Sequence, residues 1–118
     1  MKKFLCILLA GSLWPALAAA QNIGGTYTVR GTNFDGSPYG GEAQINIIST
    51  TTCEIMWKTA GETSSGFCMR NGDAFAAGYV MGDSVGLIIY KADPDGTLRG
   101  IWTIKGMNGS GTEILTPK

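Results

Sequence analysis

Residues 52–70 read TCEIMWKTAGETSSGFCMR. Apolar and polar side chains alternate on either side of Ala60-Gly61, the period of two that sends successive side chains to opposite faces of a strand. If Ala60 and Gly61 form the turn, the two halves fold back as an antiparallel hairpin. Cys53 then stands as far before the turn as Cys68 stands after it, so the two cysteines face each other on neighbouring strands. A disulfide between them would close a short loop and remove roughly 3 kcal/mol of unfolded-state entropy. Two buried free thiols are the alternative.

The same alternation, punctuated by glycine and aspartate, runs outward in both directions. It predicts eight strands, over 25–31, 41–49, 52–58, 63–70, 74–80, 84–91, 97–104 and 111–116. Asp35-Gly36, Asn71-Gly72 and Asp95-Gly96 supply turn residues that tolerate positive φ, and Pro94 presets its own φ. Parity places Tyr27, Val29, Ala43, Ile45, Ile47, Cys53, Ile55 and Trp57 on the inner face. Phe75, Ala77, Tyr79, Val85, Leu87, Ile89, Leu98, Trp102 and Ile104 complete it. Eight short sequential strands with one common apolar face are expected to close into an all-β, antiparallel up-and-down meander barrel with one hairpin disulfide. The uniformly short connections, the 31–41 segment being the longest, disfavour a Greek-key sandwich.

Ahead of the strands, Lys2 and Lys3 precede the apolar run Phe4 to Leu9, and Leu17-Ala18-Ala19-Ala20 ends in the small-x-small pattern of a cleavage site. Residues 1–20 are therefore expected to be a signal peptide, and 21–118 a single barrel domain that works in the periplasm or as a secreted protein. Such a compartment favours the disulfide. A lipid anchor is disfavoured, because Gln21 rather than cysteine follows the cleavage point.

Past residue 20 the chain carries seven Lys and Arg against nine Asp and Glu, a net charge of −2, with the basic residues scattered singly. No track for phosphates exists, which argues against nucleic acid. After the leader no apolar run approaches the ~20 residues of a transmembrane helix. The chain has no histidine, which removes a histidine triad and the common zinc sites. No cofactor and no metal are expected. The acids offer no pair at catalytic separation: Glu54 has outward parity, the turn aspartates suit Asx hydrogen bonds, and Glu113 has inward parity near a rim. An enzyme is not expected.

The leading expectation is a non-catalytic exported binding module that engages a protein partner through barrel-rim loops, with a carrier of a small hydrophobic ligand as the alternative, and each reading has its own candidate residues. The segment GTNFDGSPYGG, 31–41, would present Phe34, Asp35 and Tyr39 to an extracellular or periplasmic protein partner from the barrel mouth. The plainer reading of the segment is a turn-rich connection whose aromatics cover one end of the barrel. Tyr27, Trp57, Tyr79 and Trp102 could instead line a cavity for a small hydrophobic ligand, since an eight-stranded interior is just wide enough to be filled or to hold one small molecule. Gly100, on the same face as Trp102, would leave space beside that ring.

The phrases GTYTVRG near the start and DGTLRGIWT near the end resemble the avidin and lipocalin type of barrel, the calycin-like group. Their order with CEIMW and GSGTEILTP is similar to that of small exported bacterial proteins, some of them described as fibronectin-binding. The resemblance implies a barrel whose rims would meet a protein. It does not carry over avidin's ligand residues beyond a loosely similar Trp102. Ser65-Gly66-Phe67 resembles the opening of the serine-glycine motif of exported lysozyme inhibitors, with Met69 where a tyrosine would follow, so inhibition of an exported or host enzyme is a further alternative.

Overall fold

A computed structural model describes residues 22–118. The expected signal peptide at 1–20 lies outside the described residues. Eight strands follow in chain order: β1 Gly25–Thr32, β2 Pro38–Ile47, β3 Thr52–Thr59, β4 Glu62–Asn71, β5 Ala74–Met81, β6 Ser84–Ala92, β7 Leu98–Ile104 and β8 Gly111–Pro117. Each pairs antiparallel with the next, and β8 returns to β1, closing the meander barrel. The β1–β2, β3–β4, β5–β6 and β7–β8 connections gather at one end, the mouth. The other three connections and Lys118 lie at the base.

The central hairpin forms as its alternation predicts. Ala60 and Gly61 both adopt positive φ, 53° and 79°, which matches the twist of the flanking strands. Cys53 pairs with Cys68 in register, and a disulfide joins them with the Cα atoms 5.0 Å apart.

Three expectations are corrected. In β6 the inward residues are Gly86, Ile88, Tyr90 and Ala92, while Val85, Leu87 and Ile89 point out, Leu87 being 63% exposed. Both parities of that strand are apolar, so hydrophobicity could not choose. Pairing with β5 chooses, because Gly86 faces Tyr79 and must admit its ring. Ile47 sits at the base rim against Gly24 rather than in the core. Finally, the 31–41 segment is mostly strand: β1 runs to Thr32 and β2 starts at Pro38, leaving only the turn 33–37.

The interior is filled unevenly. Toward the base, Ile23, Tyr27, Val29, Ile45, Leu98 and Leu115 are buried around the disulfide, and the Tyr27 hydroxyl donates to the Ile23 carbonyl at 2.6 Å. From the middle of the barrel to the mouth, large rings are set against glycines. Tyr39 faces Gly31, Tyr79 faces Gly86, Tyr90 faces Gly100 and Trp102 faces Gly111, each pair directly opposed across neighbouring strands. A Cβ at any of these glycines would come within 2.6 Å of the facing ring. The missing side chain lets each ring lie flat across the next strand, covering backbone that would otherwise be bare.

Outside, the barrel is two-sided. Strands β1–β3 show Thr28, Arg30, Gln44, Asn46, Glu54 and Lys58 to solvent. Strands β4–β7 show Phe67, Met69, Val80, Val85, Leu87, Ile89 and Ile101, each about half exposed.

Gly100→Ala should cost about 1–3 kcal/mol through overpacking. Its Cβ would meet Tyr90 Cδ1 at 2.6 Å and the Ile89 carbonyl at 2.8 Å, and Tyr90 is held by stacking on Phe75. Gly78→Ala points into open space beside Leu87 and should be neutral or stabilising by ~0.5 kcal/mol through reduced unfolded-chain entropy. Urea denaturation of the two variants measures the contrast.

Candidate ligand-binding site

The mouth half of the barrel encloses a cavity of about 180 Å³, open on one side. Its inner wall is Trp57, Tyr79, Ile88, Ser64 and Glu113, and Tyr39 and Trp102 stand nearer the rim. Small residues facing large rings keep it open. Ser64 opposes Trp57 across β3–β4, and Gly86 opposes Tyr79 across β5–β6.

Glu113 is the polar centre of this half. It enters from β8 with Gly31 of β1 on one side and Gly100 of β7 on the other. Tyr39 leans over Gly31 and Tyr90 leans over Gly100, so both rings come to flank the carboxylate. The Tyr39 hydroxyl donates to Oε1 at 2.7 Å, the Tyr90 hydroxyl donates to Oε2, and Trp57 Nε1 donates to Oε2 at 2.8 Å. Four strands, β2, β3, β6 and β8, are thereby tied across the barrel axis. Glu113 is only 4% exposed.

Burial raises the Glu113 carboxyl above its ordinary value of 4.5, and the bonds from Tyr90, Tyr39 and Trp57 pull it part of the way back. The tyrosines respond in kind. Burial and then the Glu113 charge push Tyr79 up to about 12, and push Tyr39 and Tyr90 well above their ordinary value.

Three of the four residues proposed from the sequence as ligand-lining, Trp57, Tyr79 and Trp102, meet at this cavity. Trp57 and Tyr79 make an edge contact with centroids 5.4 Å apart, and the Tyr79 hydroxyl donates to the Thr103 carbonyl at 3.1 Å. Tyr27 stands apart, in the packed base. The space beside Trp102 comes from Gly111, its cross-strand partner, whereas Gly100 is covered by Tyr90.

Of the proposed rim residues, Tyr39 lies in the cavity wall, and Phe34 rests on Trp102 with centroids 4.9 Å apart. Asp35 is exposed and closes its own turn by accepting from the Ser37 amide at 3.0 Å and hydroxyl at 2.6 Å, bonds that lower its carboxyl pKa. Alternation alone did not mark Tyr90 or Ser64 as site residues, and it put Glu113 near a rim rather than deep in the barrel. The sequence signal for all three is the glycine or small residue opposite each ring.

Among the described residues no group of three or more His, Cys, Asp or Glu side chains is placed to hold a metal ion. The fold and cavity define a closed eight-stranded meander barrel that is packed at its base and hollow at its mouth.

No protein-family model matches the chain, and no curated protein sequence matches it. Solved structures do. The redesigned β barrel mFAP1, bound to DFHBI, superposes with a TM-score of 0.68 at 21% identity, over 80% of this chain and 94% of its own. The related mFAP0, also bound to DFHBI, gives 0.65 at 18% identity, over 80% of this chain and 97% of its own. A fluorescence-activating β barrel designed de novo gives 0.64 at 14% identity, over 80% of this chain and 93% of its own. At these identities the likeness is one of fold.

Because the ionised form of Glu113 is the one that burial penalises, its contribution to stability is complete below the unfolded value and is lost as pH rises through the higher folded value. Asp35, Glu42 and Asp95, with lowered values, act oppositely and only at more acid pH. Denaturant unfolding from pH 4.5 upward should therefore show a fall in stability that Glu113→Gln lacks.

Proposed function

We propose that this protein is a non-catalytic carrier of a small, largely aromatic molecule bound in the mouth half of the barrel. One observation carries the proposal: the interior is packed at the base, yet open at the mouth around Trp57, Tyr79 and Trp102 with a few inward polar groups, Glu113 and Ser64 among them. Apolar walls with sparse convergent polar groups are the usual form of a small-molecule site. In size, a cavity of about 150 Å³ takes benzene, so this one, open on one side, suits a ligand built on one or two rings. Designed barrels of the same fold, seen with DFHBI bound, support the same use of the architecture.

Export, expected from residues 1–20, would place such a carrier in the periplasm or outside the cell and would fit the calycin-like resemblance of GTYTVRG and DGTLRGIWT. Capture of a protein through Phe34, Asp35 and Tyr39 is the weaker use of those residues. Their turn is short, Phe34 is stacked on Trp102, and the Tyr39 hydroxyl is committed to Glu113.

Titration with neutral 2-phenylethanol, followed by calorimetry and by the emission of Trp57 and Trp102, should give saturable one-to-one binding. Ser64→Phe would place a ring in the cavity opposite Trp57. It should abolish that binding while the variant still unfolds cooperatively near the wild-type midpoint. Undiminished binding by a folded Ser64→Phe variant would remove the cavity as the site.

A further inference from the structure

The cavity has one sign of charge. Glu113 lies deep in it and Glu62 at its mouth, and among the described residues neither Lys nor Arg lines it. The donors that reach Glu113 are neutral, two phenols and an indole, and Trp57 Nε1 can only donate. A carboxylate offers about four acceptor positions. The three bonds to Glu113 therefore leave one on a side chain that lines the cavity.

Around it stand Tyr39, Trp57, Tyr79 and Trp102, whose ring faces attract cations. Given the carrier reading above, we propose that the ligand is a protonated amine carried on an aromatic group, with its ammonium supplying the counter-charge that Glu113 lacks. A neutral ligand would gain only the apolar contacts. An anion would meet a buried like charge.

The groups facing Glu113 are Tyr39 on β2, Trp57 on β3, Tyr79 on β5 and Tyr90 on β6, with Glu62 at the mouth. The tyrosines ionise only in strongly alkaline solution and stay neutral through the acid range. The probes are 2-phenylethylamine, 2-phenylethanol and phenylacetate, matched in ring and differing in charge. At neutral pH the amine should bind at least tenfold more tightly than the alcohol, and phenylacetate more weakly than either.

Glu113→Gln should bring the amine down to the affinity of the alcohol. On the unmodified protein, lowering the pH through the Glu113 titration should do the same, since the amine keeps its charge. Equal affinities for amine and alcohol, or an amine preference that survives both treatments, would overturn the proposal and leave the carrier reading standing. Failure of all three probes to bind would overturn both.

A separate feature lies on the outside. The row Met69–Ala76–Ile89–Ile101 runs unbroken across β4–β7 and the row Phe67–Gly78–Leu87 across β4–β6, ending at Thr103 on β7, with Val80 and Val85 beside them and no charged side chain within the rows. At about 100 Å² for each half-exposed large residue, this face offers roughly 700 Å² per copy. That exceeds the ~300–600 Å² patch typical of a monomer and approaches the ~800 Å² per partner of a standard interface.

A bilayer-spanning barrel needs an apolar band around its whole circumference, which Arg30, Glu54 and Lys58 on β1 and β3 interrupt. We infer that the face packs against the same face of a second copy, sheet on sheet, about a two-fold axis. Sedimentation velocity should show a dimer, and Leu87→Lys and Ile101→Lys should each convert it to a folded monomer. A wild-type chain that stays monomeric up to its solubility limit would overturn the inference. So would a dimer unaffected by both substitutions, or a monomer that instead binds phosphatidylcholine vesicles through this face.

Discussion

A carboxylate buried inside a small barrel, without a cation beside it among the described residues, is the constraint around which the mouth half is arranged. Taking a charge out of water costs several kcal/mol unless hydrogen bonds replace the lost hydration. Here that replacement comes from Tyr39, Trp57 and Tyr90, each reaching Glu113 from a different strand. The same bonds hold the rings in place, because a phenol whose hydroxyl is anchored at one end and whose ring lies on a glycine at the other has little freedom to swing. The cavity wall and the carboxylate are therefore one structure, and a change at either is felt by both.

Volume is apportioned by the glycines. In a barrel of eight strands the interior admits roughly one layer of large side chains at a time. At the base, aliphatic residues and the disulfide fill that space. At the mouth the residues opposite the rings are glycines or, facing Trp57, the small Ser64, so aromatic mass is laid along the wall and the axis stays open. Gly31 and Gly100 do more than make room: they bring Tyr39 and Tyr90 to the two sides of Glu113.

Alternation and turn chemistry made the eight strands, the hairpin register and the disulfide legible, since each depends on residues close in sequence. Trp57, Tyr79 and Trp102 were legible as inward rings for the same reason. Strand β6 is illegible by alternation because VGLIIY is apolar on both parities, and its facing is decided by Tyr79 on another strand. The glycines of segment 31–41 suggest a loop, yet Gly31 is required by a ring and Gly41 by the Lys58 carbonyl, which a Cβ would meet at 2.0 Å. Inward parity was visible for Glu113, but its depth was not. Depth depends on β1 as well as β7, and β1 becomes its neighbour only when the chain ends meet.

That meeting has a kinetic side. The disulfide joins residues 15 apart on one hairpin, so it can form early and from local encounters. The seam between β1 and β8 brings Tyr27 against Pro117 and Thr32 against Thr112, nearly the full length of the described chain. Contacts of such wide sequence separation form slowly. Until they form, both terminal strands present unpaired edges to other chains. Glu113, on β8 and beside Gly31 of β1, acquires its complete set of neighbours only at that last step. The interior, packed base and hollow mouth alike, is therefore complete only once the seam closes, and the seam is where assembly is most exposed to aggregation.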